Sequence, residues 1–515
     1  MQRSLFPARP SVRLAVLPEP LRRLAIAYGR AALAFALPFA LYLLTLAPTV
    51  YNLDSAELTT AAATGGITRA TGYPLYLALG RLWSLLPVGD VGYRLNLFSA
   101  FCGALTIALA DAVLRRLRVG AAAAFGALGL LACATYFWAL ALIAEVYTLH
   151  TALLMGMIVA LLRWADQPDA RRLALVGALG GLSLSHHGAT VLLIPGILWF
   201  IFTTAPRAAL RPRALAGGLL GLAGGLLPYL YLPLRHAAAP AFNYAGSYDA
   251  SGAFTAIDLR SAGGLWWLVS GRAFAGQMLG YGDSSFWGEA LHFGGQLWRS
   301  FFGIGIGPGL LGAALLLRRS WRLGGMLLLM FLGNAIFYID YRVLDKDTMF
   351  LPNYAVWAVW LAVGYQWLID WLGAPASQRA LRAGLIGCAL LACAWNWRLV
   401  DLSDDWSARE RGEAVLAEAA PGALVLGWWD TVPVVEYLQL VEGRRPDVTA
   451  INRFLVAPDA LEPLIRRSAA ARPVYIDSVP AGGLDGLLPI EAGPLFRVYP
   501  QPALAAPRQP RPANR

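Results

Sequence analysis

About eleven apolar runs along this chain are each long enough to cross a bilayer. They lie at 24–46, 95–114, 119–140, 148–163, 172–187, 189–204, 214–234, 298–317, 322–340, 350–372 and 382–399. A bilayer offers the backbone no hydrogen-bond partner, so such runs span it as helices. Only 14% of the 515 residues are charged, whereas a soluble protein carries about 25%. The runs therefore predict a polytopic α-helical membrane protein.

Arginines between the runs predict its orientation. Their clusters lie at 22–30, 115–118, 163–172, 207–213, 318–322 and 379–382. All fall on one side if the short apolar run at 75–87 is an interfacial helix that does not cross. Arginine-rich loops mark the cytoplasmic side, so the N-terminus is expected inside and the chain's end outside. The net charge of +11 then reflects topology, and no nucleic-acid partner is expected.

Composition also indicates the source and the redox chemistry. Ala, Gly, Leu and Arg are abundant and Lys346 is the only lysine, which is typical of a GC-rich bacterial genome. We therefore expect a bacterial inner-membrane protein. The four cysteines lie inside apolar runs, so they indicate neither a disulfide framework nor a zinc finger.

These patterns divide the chain into segments. A transmembrane domain is expected at 24–400, with a first external loop at 47–94 and a second at 235–297. Residues 401–500 regain soluble charge density and contain two strand-like runs, GALVLGWWD and RPVYIDS, and an amphipathic helix, ARERGEAVLAEAA. This predicts a small extracytoplasmic α/β domain. A cytoplasmic tail is expected at 1–23, and a disordered Pro- and Arg-rich tail at 501–515.

Two carboxylates in the first external loop are the leading catalytic candidates. Asp54 and Glu57 lie three residues apart, so they share one face of a helix turn. One carboxylate would take a proton from an attacking hydroxyl while the other orients it. The alternative is a helix capping box, with Asp54 as the cap and Glu57 closing it.

Four basic residues of the predicted external face suit a phosphate group. Arg69, Arg94 and Arg235 end or flank apolar runs, and a guanidinium matches the geometry of phosphate oxygens. The alternative for each arginine is snorkelling to the headgroup level. Lys346 lies in the charged stretch DYRVLDKDTMFLP, where the alternative is a solvated loop.

The remaining candidates are Glu145, in AEVYTLH, and His187, in LSLSHHG. Both lie at the mouths of apolar runs, where ionisable groups are costly and usually functional. For Glu145 the alternative is a structural pair with a buried arginine. Adjacent histidines at 186 and 187 point to different sides of a helix and make a poor metal pair, so no metal site is predicted.

Eight blocks in order along the chain carry a family resemblance. They are APTVYNLDSAEL (47–58), TGYPLYLALGRL (71–82), YRLNLFSA (93–100), AEVYTLH (144–150), LSLSHHG (182–188), YLYLPLR (229–235), TMFLPNYAVWAVWLAVG (348–364) and GWWDTVPVVEYLQLVEGRRPDV (427–448). Together they resemble the transmembrane protein O-mannosyltransferases and their bacterial relatives of unknown function, within the GT-C glycosyltransferase superfamily.

The resemblance implies a GT-C-like fold and an inverting transfer of mannose or a similar hexose. It implies a polyprenyl-phosphate sugar as donor and an external protein or glycan hydroxyl as acceptor, with membrane lipids around the protein and no cofactor. Carried over, Asp54 takes the place of the catalytic base and Glu57 of the supporting acid. The family often has His-Pro-Pro-Gly where this chain reads Arg69-Ala70-Thr71-Gly72. Arginine cannot act as a base near neutral pH, so that step or the substrate would differ here.

Two other classes of function compete with a transferase. A transporter or lipid flippase should show internal repeats and mid-membrane ionisable groups, whereas no repeat is evident and the charged candidates fall near one face. A non-catalytic scaffold would leave the Asp54 and Glu57 loop unexplained.

Overall fold

The computed structural model describes residues 19–281, 283–480 and 483–501, with side chains omitted at 19–28 and 283–284. The predicted tails lie outside this part, except for helical backbone at 19–23 and Gln501. The first eighteen helices are α1 Glu19–Leu44, α2 Asp54–Thr64, α3 Pro74–Trp83, α4 Val91–Arg116, α5 Ala121–Ala132, α6 Thr135–Ala139, α7 Tyr147–Asp166, α8 Ala170–His186, α9 Ile194–Thr204, α10 Pro206–Ala209, α11 Pro212–Gly225, α12 Tyr231–Ala237, α13 Ala262–Val269, α14 Asp283–Ser300, α15 Ile306–Arg319, α16 Trp321–Ile339, α17 Leu351–Trp371 and α18 Pro375–Val400.

Among the described residues, five helical segments are long and apolar enough to cross a membrane. They are Val91–Arg116, Tyr147–Asp166, Pro212–Ala237, Trp321–Ile339 and Pro375–Val400. Shorter apolar helices cover Gly29–Leu44, Ala121–Ala132 and Gly188–Thr204. The fold is thus polytopic and helical, while the count of about eleven spans stays a prediction.

Two predicted runs are not continuous helices. The run at 119–140 contains α5 and α6, which are separated at Cys133 and Ala134. The run at 298–317 covers the end of α14, a break, and then α15. At the break Phe302 and Gly303 both have positive φ angles, of 53° and 64°. This left-handed backbone ends a helix, and the next helix begins at Ile306.

Small residues let the helices approach closely. A Cβ on Gly181 of α8 would lie 2.3 Å from the carbonyl oxygen of Leu222, and one on Gly225 of α11 would lie 2.2 Å from that of Ala178. Glycine contacts of this kind are the usual route to tight packing in membranes, where lipid provides no hydrophobic driving force between helices.

Residues 401–500 form an α/β unit. Its elements are α19 Ser407–Glu418, β3 Leu424–Gly427, α20 Val432–Leu440, β4 Thr449–Asn452, α21 Leu461–Ala469, β5 Val474–Ile476, β6 Leu487–Ala492 and β7 Leu495–Pro500; a separate hairpin of β1 Gly246–Tyr248 and β2 Phe254–Ala256 precedes them. The sheet order is β4-β3-β5-β7-β6, with β4, β3 and β5 parallel. The two runs read as strands are β3 and β5, and the amphipathic run is α19. Val425 packs towards α19 and α20, and Leu424 and Leu426 pack towards α21.

The α/β unit rests directly on the first loop. Val50 and Ala56 belong to the same buried cluster as the inner faces of α19 and α20. The hydroxyl of Tyr437 accepts a hydrogen bond from the backbone of Gly92 at 3.2 Å. Arg409 contacts Asp90, in the turn before α4, at 3.4 Å. The loop that carries the carboxylates is therefore held between the helical bundle and the α/β unit.

Candidate active site

Helix α2 places both carboxylates in its first turn and ends at Gly65, whose φ of 67° is the left-handed conformation that glycine favours. The residue before the helix is Leu53, and no side chain caps this end. The capping-box alternative for Asp54 and Glu57 is therefore not what the structure shows. Their side chains are free to contact a residue outside the helix.

That residue is Arg69, in the turn between α2 and α3. Its Nη1 donates to Glu57 Oε2 at 3.0 Å and its backbone N–H donates to Glu57 Oε1 at 2.9 Å. Its Nη2 pairs with the Asp54 carboxylate. One guanidinium therefore joins the two carboxylates, which fixes their relative position.

Burial distinguishes the two acids. The side chain of Glu57 is 3% exposed and that of Asp54 is 24% exposed. Burial raises the pKa of Glu57 to about 7, with Asp54 adding to the rise and Arg69 opposing it. Asp54 is consequently the carboxylate that an incoming group can reach, and Glu57 is the buried partner that titrates near neutral pH.

Glu145 lies in the loop before α7 and is buried. Its Oε2 accepts from the backbone N–H of Val146 at 3.3 Å, and its own N–H donates to Ser99 Oγ at 3.0 Å. Burial, with the negative charges of Asp54 and Asp345, raises its pKa well above the ordinary value. The alternative of a structural arginine pair is not seen, since the carboxylate bonds to backbone.

His187 belongs to an aromatic cluster beside this group. Its ring centre lies 5.6 Å from that of Tyr73 and 6.0 Å from that of Tyr147. The same ring is 5.1 Å from that of His150, the last residue of the AEVYTLH block, which was not among the candidate site residues. No cluster of His, Cys, Asp and Glu in the described part of the chain is arranged to hold a metal ion.

The other predicted cations have protein partners. The three guanidinium nitrogens of Arg94 donate to the carbonyls of Ser84, Val88 and Gly89, at 2.7, 2.8 and 3.0 Å. Arg94 therefore holds the turn before α4 together. Its role as a phosphate ligand stays a prediction.

Arg235 and Lys346 are also engaged. Arg235 Nε donates to the carbonyl of Gly65, so α12 is tied to the end of α2. Lys346 Nζ lies 2.6 Å from Glu289 Oε2 and 4.3 Å from the ring centre of Tyr281. The structure thus joins Asp54, Glu57 and Arg69 directly. Arg235 and Lys346 have other partners.

The α/β unit adds a residue that sequence reasoning did not single out. Trp429 follows β3, and its ring centre lies 4.2 Å from the guanidinium carbon of Arg69, a favourable cation–π distance. Its ring also contacts Tyr244 at 5.5 Å and Phe454, which follows β4, at 4.9 Å. The available signal was the position of GWWD at the carboxyl end of a parallel strand, where α/β sheets place their sites.

Comparison with known proteins places this site in a matched segment. The family model described as the Protein O-mannosyl-transferase TMEM260 N-terminal domain matches residues 54–209, beginning at Asp54 itself. The Protein O-mannosyl-transferase TMEM260 of Mus musculus is 34% identical over 207 residues. That match covers 39% of this chain and 29% of the mouse protein, so the chain spans less than a third of this relative's length.

Solved structures match almost the whole chain. ArnT from Cupriavidus metallidurans bound to undecaprenyl phosphate has a TM-score of 0.58 and 14% identity, over 94% of this chain and 100% of that one. Its apo state has the same TM-score and 13% identity, over 92% and 98%. At this identity the likeness shows the fold. The expected polytopic helical fold is confirmed.

Proposed function

We propose that this chain is an integral-membrane glycosyltransferase that moves mannose or a similar hexose from a polyprenyl phosphate to an acceptor hydroxyl. The observation that carries the proposal is the Asp54–Arg69–Glu57 group, at the start of the segment that matches the O-mannosyl-transferase model. The likeness to ArnT bound to undecaprenyl phosphate supports a lipid-linked donor. The proposed setting is a bacterial inner membrane, with the site and the α/β unit outside.

In the proposed reaction the acceptor oxygen attacks the anomeric carbon of the donor sugar. The bond from that carbon to the phosphate oxygen breaks, and the polyprenyl phosphate leaves as a dianion. Asp54 takes the hydroxyl proton, as a general base within reach of the acceptor. A single displacement of this kind inverts the anomeric centre.

The other groups of the site support this step. Arg69 holds Asp54 in place and keeps positive charge close to the leaving phosphate, which stabilises charge that develops in the transition state. Trp429 lies against the guanidinium of Arg69 from the α/β side. We propose that the acceptor, a protein or glycan hydroxyl, approaches between this unit and the bundle. We further propose that Glu145 and His187 contact the donor.

The testing experiment uses purified protein in proteoliposomes with undecaprenyl phosphate mannose and a hydroxyl acceptor. Asp54→Asn keeps the side chain's shape but cannot accept the proton, so transfer should fall by about 10²–10⁴-fold. Losing one partly exposed ion pair should cost about 1 kcal/mol or less of stability. The matched control is Asp459→Asn, on an exposed carboxylate of the α/β unit, which should transfer normally. Wild-type transfer by Asp54→Asn would rule out Asp54 as the base.

A further inference from the structure

Three of the five histidines of the chain meet at one place, and we call them the histidine cluster: His150, His186 and His187. His150 lies in the first turn of α7, and the other two lie at the end of α8. The ring centre of His150 is 6.2 Å from that of His186 and 5.1 Å from that of His187. His150 is 3% exposed and His186 is 1% exposed.

The cluster contains ring nitrogens that lack hydrogen-bond partners. Nδ1 and Nε2 of His150 and Nδ1 of His186 are buried and unpartnered, while His186 Nε2 lies 2.8 Å from the carbonyl oxygen of Val146. Buried polar atoms are nearly always paired in native proteins, and each one left unpaired costs about 1–3 kcal/mol. His150 is almost fully buried and has both ring nitrogens unpartnered, so both can hydrogen-bond to a bound polar group.

The close spacing of the three imidazole rings limits the chemistry of the group that they could bind. Three imidazolium charges at these distances would repel strongly in a buried site, so the rings are best suited to act as neutral groups. A neutral imidazole offers one donor and one acceptor. A hydroxyl group also offers both, whereas a phosphate oxygen only accepts and an ammonium only donates. The cluster therefore matches a group with several hydroxyls.

The cluster also lies next to the carboxylate group. The ring of His187 contacts Tyr73, which directly precedes α3 and follows the turn that starts at Arg69. Tyr76, one turn further along α3, stacks on His186 with ring centres 6.2 Å apart. A sugar ring held by the histidines would thus lie beside Arg69 and Asp54.

We propose that the histidine cluster is the subsite for the hydroxyl groups of the donor's sugar, with His150 as its central residue. This inference rests on the proposed function, because it requires a sugar-bearing lipid as substrate. It assigns binding roles to His150 and His186 and narrows the role of His187 from the donor in general to its sugar.

The test compares two lipids that differ only in the sugar. Binding of undecaprenyl phosphate mannose and of undecaprenyl phosphate is measured for wild type, His150→Phe and His187→Phe. Losing one or two hydrogen bonds should weaken binding of the mannose lipid by about 10- to 100-fold. Binding of the sugar-free lipid should stay within about twofold of wild type. His187 is only partly buried, so its variant serves if His150→Phe does not fold. His236→Phe is the matched control, because His236 is a histidine outside the histidine cluster. Its neighbour is Asp258, at 3.4 Å.

Each outcome decides the matter. Selective loss for the mannose lipid supports the subsite. Equal loss for both lipids, or unchanged binding of both, overturns it and leaves the cluster a packing feature or a water site. If the wild type neither binds nor transfers from the mannose lipid or from the same lipid carrying glucose, the proposed function itself fails together with the subsite. If the wild type transfers and the variants bind both lipids normally, only the subsite fails.

Discussion

Arg69 decides which residues of the site can move a proton. Its guanidinium contacts both carboxylates and packs on Trp429, and arginine does not lose its proton in proteins. Of the three side chains joined here, only the two carboxylates can accept a proton, and Asp54 is the more exposed of the pair. Arginine at this position is therefore compatible with carboxylate base catalysis. The family that the sequence resembles often has a histidine here, and arginine puts a permanent positive charge in its place.

The pH dependence of transfer should report this arrangement. Burial raises the pKa of Glu57 to about 7 and Arg69 opposes the rise, so wild-type kcat/KM should climb with pH through about 7 as Glu57 ionises and pairs with Arg69. In Arg69→Met the opposing charge is gone, and the pKa of Glu57 rises further. The midpoint of the climb should then move up by about one pH unit or more, together with a loss of rate.

Arg94→Met is the matched control for that shift. It removes an arginine of the same loop whose three hydrogen bonds go to local carbonyls. It should lower thermal stability, by about 1–3 kcal/mol, and leave the midpoint of the pH profile in place. An unchanged midpoint in Arg69→Met, or an equal shift in both variants, would contradict the role given to Arg69.

Sequence reasoning identified the carboxylates but not the arginine that joins them. Asp54 and Glu57 could be predicted because they lie close together after an apolar run. Arg69 was predicted for phosphate binding, and the structure shows its guanidinium on the two acids. His150 and Trp429 could not be placed, because they come to the site from α7 and from the α/β unit. Contacts across such sequence distances depend on the fold.

At the scale of elements, the joint between the bundle and the α/β unit contains a half-buried acid, Glu436. This acid lies in α20 and accepts a hydrogen bond from the hydroxyl of Tyr244, in the loop at 235–297. Burial raises the pKa of Glu436 from 4.5 to about 8, the hydrogen bond from Tyr244 lowers it, and the charge of Glu57 adds to the rise. The joint therefore favours the protonated acid.

This predicts how stability changes with pH. Between about 4.5 and about 8 the folded chain keeps the proton on Glu436 while the unfolded chain has lost it, so this group lowers stability as pH rises across that window. Glu436→Gln removes the titration and retains an oxygen that accepts from Tyr244. At pH 9 the variant should be about 1–2 kcal/mol more stable than the wild type, and at pH 4.5 about equal.

Thermal unfolding in detergent at both pH values measures the difference. Glu442→Gln, which breaks the 2.7 Å pair with Arg409, is the control and should be less stable at pH 9. A variant Glu436→Gln that is destabilised equally at both pH values would show that the carboxylate is ionised in the folded protein.

Helices were easier to predict than their breaks. Apolar runs become helices because the backbone must satisfy its own hydrogen bonds in lipid, and the predicted runs coincide with α1, α4, α7, α16 and α18 among others. The break between α14 and α15 was missed, because its residues are as apolar as their neighbours. In the α/β unit, β3 and β5 were recognisable as buried runs, whereas the register that aligns Gly427 with Asn452 depends on the assembled sheet.

At the scale of the whole molecule, the proposed chemistry requires all parts of the site to lie on one side of the membrane. The carboxylates contact Trp429 through Arg69, and Trp429 belongs to the α/β unit, so the first loop and that unit must lie on the same side of the membrane. The distribution of charge supports this, because the arginine clusters lie in other loops than the carboxylates, such as 115–118 and 318–322. The arginine rule predicts that those loops are cytoplasmic.

Cysteine labelling tests the sidedness without any assay of transfer. The four native cysteines lie at positions 102, 133, 388 and 393, and all are at least partly buried. The labelling uses a variant in which all four have been replaced. Single cysteines at Ser247 and Gly443 should react with a membrane-impermeant maleimide in intact spheroplasts. Cysteines at Arg118 and Arg319 should react only after permeabilisation. Labelling of Ser247 from one side and Gly443 from the other would contradict the contact between the loop at 235–297 and the α/β unit, in which Tyr244 bonds to Glu436. Labelling of both only from the cytoplasm would instead invert the molecule, and would place the donor on the inner leaflet.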